Sequence, residues 1–168
     1  QMVYTNYDII DDHGEPVLNS DYCPKYQVPP GSNHIHLPRD LSEFNVIRNN
    51  FIGPSFLYRS WVGRLIGDYD ASMFTVEDYD YWMTVNTFFK IEHLGQDEPF
   101  YLNRVHDDSL TGRKKELKIV EITDRLMEFE KTRRDFYREK FHVYLLGNNE
   151  RLREVRTGLE ANGNRVEE

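Results

Sequence analysis

One stretch, Thr75 to Trp82, constrains this 168-residue chain more than any other. Thr75 has the character of a helix N-cap, and Asp78 follows at the position that completes a capping box. Apolar side chains then recur at the spacing of one helical face, at Tyr81, Trp82, Val85, Phe88 and Phe89. The sequence therefore predicts an amphipathic helix over 77–88 that carries adjacent carboxylates in its first turn.

Glu77 and Asp78 are these adjacent carboxylates, and three interpretations of them stay open. Acidic residues in a first turn favour the helix dipole, which makes a capping role the simplest interpretation. A carboxylate at a helix N-terminus beside a pocket can also act as a general base toward a hydroxyl group. Hard cations favour carboxylate oxygens too, and the triplets 68–70 and 78–80 both have an Asp-x-Asp pattern. Asp80 is expected to point away from Asp78, which weakens the metal interpretation.

Length and composition exclude several classes of protein. A chain of this length forms one domain with a real core, and 39% apolar with 14% aromatic residues excludes a disordered chain. A net charge of −8 argues against nucleic acid as a partner, since phosphate binding needs a concentrated basic surface. The single Cys23 cannot form an internal disulfide, which predicts a reducing, cytoplasmic setting. No apolar run approaches the roughly 18 residues of a membrane span.

Short elements fill the first 112 residues. The pattern predicts strands over 3–10, 51–58, 89–94 and 100–105, a hairpin return over 15–18, and helices over 42–47 and 60–66. Between 19 and 38, four prolines and a glycine predict a long irregular loop, in which His34 and His36 are weak metal-ligand candidates. Arg104 and His106 end the last of these strands, where both side chains can turn toward an anion or a metal.

The remaining residues follow two other patterns. Over 113–142 apolar residues keep a spacing of three and four, interrupted by Arg133, which predicts a long amphipathic helix that packs on the domain or on a second copy. Over 143–168 a buried-strand pattern at 143–147 precedes a helix over 150–161, with Asn149 as its cap. This strand–helix unit is interpreted as the start of another α/β domain.

Four segments of the first part follow one another in a characteristic order, at 51–59, 66–70, 77–82 and 101–111. Together they resemble the C-terminal, acceptor-binding half of family 2 inverting glycosyltransferases, which have the GT-A fold. The segment 3–14 resembles the stretch just past the metal-binding Asp-x-Asp of that family, so the likeness covers residues 2–112. It implies an α/β fold with an incomplete GT-A-like mixed sheet and flanking helices.

The resemblance also implies roles for particular residues. Asp78 would be the base that deprotonates the acceptor hydroxyl for direct displacement at the anomeric carbon, and Glu77 would orient it or bind the acceptor. Gly53, Ser55 and Trp82 would line the acceptor pocket. The diphosphate or the metal would be faced by Arg104 and His106. Asp68 stands where the family more often has glycine after Gly67, and this difference is given no weight.

The N-terminal half of that family, which holds the nucleotide-sugar and the metal, has no counterpart here. Because the chain also opens on Gln1 rather than Met, we expect a piece of a larger enzyme that is inactive alone and binds no metal. The intact enzyme would use a divalent cation (Mn or Mg), a nucleotide-sugar and a glycan or lipid-linked acceptor. It would act in bacterial cell-surface polysaccharide synthesis, at the inner face of the membrane.

Two alternatives from other classes stay open. The chain can be a non-catalytic carbohydrate-binding module, because tryptophan and tyrosine rings stack on sugar faces, although most such rings at helical spacing belong to the core. It can also be an assembly domain that forms a homodimer through the helix predicted over 113–141. An upstream α/β pattern that ends in Asp-x-Asp would favour the transferase over both.

Overall fold

A computed structural model describes residues 1–140, 149–164 and 166, and shows a mixed α/β fold. The strands are β1 Met2–Tyr4, β2 Tyr7–Ile10, β3 His34–Ile35, β4 Phe56–Tyr58, β5 Ile91–His93 and β6 Leu102–Arg104. The α-helices are α1 Ser60–Ile66, α2 Glu77–Phe88, α3 Ile119–Lys140 and α4 Glu150–Ala161. Two single 3-10 turns cover Pro24–Tyr26 and Ala71–Met73. No helix in these described ranges is long and apolar enough to cross a membrane.

The strands form two small mixed sheets. In one, β1 lies between β4, which is antiparallel to it, and β5, which is parallel. In the other, β2 lies between the antiparallel β3 and the parallel β6. The α/β class predicted from the sequence is confirmed, and each sheet contains both parallel and antiparallel pairs.

The predicted strand 3–10 is wrong as a single element, because Thr5 and Asn6 divide it between the two sheets. Asn6 is almost fully buried, and its side chain accepts a hydrogen bond from the backbone N–H of Leu37 at 2.9 Å. Its amide group donates to the carbonyls of Gln96 and Asp97 at 3.2 and 3.3 Å. A buried amide that binds three loop groups fixes the crossing point between the sheets, since a buried polar group needs partners.

Helix α2 forms the centre of the core, as the apolar stripe predicts. Its Trp82 is fully buried, and the ring lies 4.3 Å from that of Phe56 and 5.4 Å from that of Tyr81, measured between centroids. Tyr79 and Met83 are buried on the same helix. The predicted bounds 77–88 are confirmed. The helix is buried on more than the one predicted face, because all five residues from Tyr79 to Met83 are buried.

Three other elements predicted from the sequence are shorter or less regular in the structure. The strand over 51–58 is reduced to β4, because Gly53 has a φ of +62° and Pro54 follows it in a turn. The helix over 42–47 is a series of turns that begins where Asp40 accepts from the backbone N–H of Ser42 at 2.8 Å. The hairpin return is present only as a single bridge between Ile10 and Pro16.

The C-terminal predictions have mixed outcomes as well. The long helix begins at Ile119 rather than near 113, after a run of turns in which Lys118 has a φ of +51°. Helices α1 and α4 have the predicted bounds, and Asn149 caps α4 by accepting from the backbone N–H of Leu152 at 3.0 Å. The strand predicted over 143–147 lies outside the described residues.

A buried ion-pair cluster joins α3 to α2. Arg133 donates to Asp80 at 2.6 Å and also binds Glu130, whose side chain is fully buried. Asn45 donates to Glu130 at 2.7 Å and to the carbonyl of Met83 at 2.8 Å, which brings the 42–46 turns into the same cluster. Arg133, which interrupts the apolar stripe in the sequence, is therefore a buried contact rather than a solvated one.

Removal of the Arg133 charge tests this cluster. Arg133→Met should lower the free energy of unfolding by about 3–5 kcal/mol, because Asp80 and Glu130 would stay buried without their cation. The matched control is Arg113→Met, since Arg113 pairs with Glu116 at the same i, i+3 spacing but on the exposed surface. That control should leave stability almost unchanged. Urea denaturation of both variants measures the difference, and equal losses would contradict the buried role of Arg133.

Candidate active site

The candidate site lies at the N-terminus of α2, and its cap differs from the predicted one. Val76 is the N-cap, whereas Thr75 has a φ of +81°, so its hydroxyl does not cap the helix. Asp78 does not complete a capping box either. Its Oδ1 accepts from the backbone N–H of the next residue, Tyr79, at 2.6 Å. The capping-box prediction is wrong, which removes the simplest structural reason for the Asp78 carboxylate.

The Asp78 carboxylate lies in a poorly solvated environment. Burial raises its pKa above the usual value, and the neighbouring charge of Glu77 raises it further. Three hydrogen bonds act in the opposite direction. Two come from the backbone of Tyr79 and of Asp78 itself, and the third comes from the side-chain amide of Asn50, whose Nδ2 lies 3.4 Å from each Asp78 oxygen. A carboxylate with a raised pKa is a better proton acceptor than an exposed one.

Two tyrosines lie close enough to Asp78 for its charge to affect them. Burial raises the pKa of Tyr22 to about 12, and the Asp78 carboxylate adds to that rise. Burial likewise raises the pKa of Tyr69, with smaller contributions from Tyr58, Asp78 and Glu77. Tyr22 comes from the irregular loop over 19–38 and Tyr69 from the turn before α2. The carboxylate therefore lies within electrostatic range of two chain segments that carry phenol groups.

Unsatisfied polar atoms concentrate at this end of α2. Within the described ranges, seven buried side-chain polar atoms have no hydrogen-bond partner, and three of them belong to residues of this region. They are Asn50 Oδ1, Thr75 Oγ1 and Glu77 Oε2. Each such atom costs roughly 1–3 kcal/mol unless something binds it. Their concentration in one place is expected of a site that binds a polar ligand or ordered water.

Gly53 and Ser55 lie in the turn that precedes β4. A Cβ atom on Gly53 would come within 3.0 Å of the Tyr7 ring, so the glycine allows a close approach between this turn and β2. The Ser55 hydroxyl is buried and lies 2.8 Å from Thr5 Oγ1, in a hydrogen bond within the fold. Gly53 thus lets this turn lie against the Tyr7 ring, and the Ser55 hydroxyl is occupied by Thr5.

Trp82 offers no ring face to solvent, because its side chain is fully buried. Among the rings that pack on it, Phe56 and Tyr69 are the most exposed, and Tyr58 is half-buried. Phe56 is 37% exposed, and Tyr69, whose centroid lies 6.3 Å from that of Trp82, is 44% exposed. The aromatic surface beside α2 therefore belongs to Phe56 and Tyr69, with Trp82 as the support beneath them.

Arg104 and His106 lie at the end of β6, and both are exposed. The Arg104 guanidinium donates to the backbone carbonyl of Asp11, which holds the arginine beside the end of β2. The backbone carbonyl of His106 accepts from the Ser109 hydroxyl at 2.7 Å. Arg104 is the last residue of β6 and His106 lies two residues beyond it, and these hydrogen bonds join them to the 11 and 109 turns.

The Asp-x-Asp triplets do not assemble a metal centre in the part of the chain that the structure describes. No group of three or more histidine, cysteine, aspartate or glutamate side chains there is arranged to hold a metal ion. Asp70 instead accepts from the backbone N–H of Ser72 at 2.8 Å, and Asp80 pairs with Arg133. His34 contacts Asp8, and its ring centroid lies 5.1 Å from that of His36.

No protein-family model and no curated protein matches this chain.

The site residues that sequence reasoning missed are Asn50, Tyr22 and Tyr69. Tyr69 is the central residue of the Asp-x-Asp triplet 68–70, but the triplet pattern gives no reason to assign a role to that central residue. Asn50 is 28 residues from Asp78, and no spacing rule joins two residues of an irregular segment and a helix.

Replacement of Asp78 by asparagine distinguishes a buried base from a cap. Because the folded-state pKa of Asp78 is raised, the ionised carboxylate destabilises the fold, and that cost appears as the pH rises through the folded-state pKa. Asp78→Asn should therefore be more stable than the wild type at neutral pH. The difference should vanish below the ordinary carboxyl pKa of 3.8, where Asp78 is protonated.

Thermal unfolding followed by circular dichroism across this pH range measures the effect. Asp68→Asn is the control, since Asp68 is exposed in the turn before the helix. A loss of stability in Asp78→Asn at neutral pH would contradict the desolvated base and favour a structural cap.

Proposed function

We propose that residues 2–112 form the acceptor-binding half of a nucleotide-sugar-dependent inverting glycosyltransferase of the GT-A type, with Asp78 as the general base. The observation that carries this proposal is the half-buried carboxylate of Asp78, whose pKa is raised by burial, beside unsatisfied polar atoms at one helix end. A catalytic base of this kind needs a fixed position and a pKa that burial brings closer to neutral. The order of the four family-like segments adds the reaction class.

The proposed reaction is a single displacement. The acceptor hydroxyl gives its proton to Asp78 while its oxygen forms a bond to the anomeric carbon of the donor sugar. The bond from that carbon to the diphosphate oxygen breaks, and its electron pair leaves with the nucleoside diphosphate. Attack from the opposite face inverts the anomeric centre. Glu77, whose Oε2 is buried without a partner among the described residues, is placed to bind another acceptor hydroxyl.

The acceptor is expected to be a sugar ring. The exposed faces of Phe56 and Tyr69 give an apolar surface for the C–H face of a pyranose, while the polar atoms of Asp78, Glu77 and Asn50 suit its hydroxyl groups. Gly53 would lie beside this surface, where the absence of a Cβ atom lets its turn approach the Tyr7 ring. Trp82 contributes by supporting the two rings rather than by touching the sugar.

The donor site is proposed to require a further half that these residues do not form. Leu57 on β4 is 72% exposed and Leu102 on β6 is 60% exposed, and both strands end their sheets. Apolar strand edges of this kind are suited to pairing with further strands. Arg104 at the end of β6 would face the diphosphate there, with His106 beside it. A bound Mn or Mg ion would neutralise diphosphate charge, but the described residues contain no group of three or more acidic, histidine or cysteine side chains arranged to hold one.

A non-catalytic carbohydrate-binding module is the second candidate, and the partly exposed Phe56 and Tyr69 rings favour it. The two functions differ in what Asp78 does. In a binding module a sugar needs only the ring faces and hydrogen bonds, so removal of the Asp78 charge has a small effect. In a transferase the same change removes the proton acceptor.

Turnover therefore tests the proposal in a protein that joins residues 2–112 to a donor-binding half. Asp78→Asn should lower kcat by about 10²–10⁴-fold, the usual cost of losing a general base, with little change in the KM for the acceptor. Asp68→Asn is the control and should keep kcat within a small factor. Asp80→Asn is unsuitable for this purpose, because Asp80 is part of the buried Arg133 cluster. Wild-type turnover by Asp78→Asn would exclude Asp78 as the base.

A further inference from the structure

Asn50 holds a position over the Asp78 carboxylate that the proposed function does not yet explain. Its Nδ2 lies 3.4 Å from both Asp78 oxygens, so one amide group spans the whole carboxylate. We propose that Asn50 is a positioning residue that fixes the orientation of Asp78 and keeps it in the ionised, proton-accepting form. This inference rests on the proposed function of Asp78 as a base.

The segment that carries Asn50 is tied to the same turn of α2 that carries Asp78. The backbone N–H of Asn49 donates to the Tyr79 hydroxyl at 3.1 Å, and that hydroxyl donates to the carbonyl of Ile47 at 2.8 Å. Tyr79 is only 1% exposed. Asn49 is adjacent to Asn50, and Tyr79 is adjacent to Asp78. The Tyr79 hydroxyl therefore fixes the position of the Asn50 amide relative to the Asp78 carboxylate.

A second contact holds the segment from its other side. The Asn49 side chain donates to the hydroxyl of Tyr26, which belongs to the 3-10 turn Pro24–Tyr26 in the irregular loop. The Tyr26 ring in turn lies 6.1 Å from that of Phe51, the residue after Asn50. Asn50 is thus flanked by two anchored residues, so its side chain has little freedom to leave the carboxylate.

The amide of Asn50 suits one protonation state of Asp78 better than the other. Its NH₂ group donates to the carboxylate, and a hydrogen bond to the charged form stabilises that form. The Asn50 hydrogen bond therefore lowers the pKa of Asp78 against the larger, opposite effect of burial. A buried base without this donor would hold its proton up to a higher pH and would be less available to accept another.

Carboxyl ¹³C NMR titration of this chain tests the inference, with the Asp78 resonance assigned by its loss in Asp78→Asn. Asn50→Ala should raise the pH at which Asp78 titrates, since the donor to the ionised form is gone. Asn50→Asp keeps the shape of the side chain but replaces the donor by a second carboxyl group, and should raise it further. An Asp78 titration unchanged in both variants would overturn the role of Asn50.

Asn45→Ala is the matched control, because Asn45 is another buried amide shortly before Asn50 and binds Glu130 and the Met83 carbonyl rather than Asp78. It should lower the melting temperature and leave the titration of Asp78 where it is in the wild type. A merely structural role for Asn50 predicts that Asn50→Ala behaves like Asn45→Ala, which would contradict the inference.

This titration needs no donor, acceptor or turnover, so its result is separate from that of the kinetic test. If Asp78 titrates at a higher pH in Asn50→Ala while Asp78→Asn keeps wild-type turnover, the Asn50 contact is supported and the transferase is contradicted. If the Asp78 titration is unchanged in Asn50→Ala while the turnover of Asp78→Asn collapses, the base is supported and the role of Asn50 is contradicted.

Discussion

The interaction on which the rest of the structure depends is the buried contact of Arg133 with Asp80 and Glu130. It places one cation between two anions in a region where Glu130 is fully buried and Asp80 is 8% exposed. Burial of such charges is costly, and only close, hydrogen-bonded geometry repays it. A change in this geometry would leave the buried charges without close partners and would destabilise the fold. The cluster therefore fixes how α3 lies on α2.

Helix α2 then connects this cluster to the candidate site. Asp80, two residues after Asp78, faces α3, while Asp78 faces the segment of Asn50. Trp82 and Tyr79 fill the core between them, so the first turn of the helix has little freedom to move. The fold thus holds a carboxylate in a poorly solvated place at a cost in stability, which is common at sites of proton transfer. The buried polar atoms of Thr75 and Glu77, which have no hydrogen-bond partner, also destabilise the fold at this end of α2.

Sequence reasoning succeeded where a local pattern determines the structure. The bounds of α1, α2 and α4 follow from apolar spacing, from Gly67 after α1 and from the cap at Asn149. It failed where tertiary contacts override the local pattern. Asn6 divides a continuous strand pattern because its amide binds a separate loop, and Thr75 takes a left-handed conformation instead of capping α2. Arg133 resembled an interruption, since spacing cannot show that two acidic partners lie opposite it.

Only part of the candidate site could be predicted from the sequence. Asp78 and Glu77 are visible as adjacent carboxylates at a helix start, and the resemblance adds a chemical role. The burial that raises the pKa of Asp78, and the Asn50 amide over it, arise from the packing of distant segments.

The central claim is that the fold keeps Asp78 as a desolvated proton acceptor. Direct ¹³C titration of the Asp78 carboxyl group in the wild-type chain tests it most closely. The account predicts a titration midpoint above the ordinary carboxyl value of 3.8. A midpoint at or below that value would show a carboxylate stabilised by the helix N-terminus, and would contradict the account.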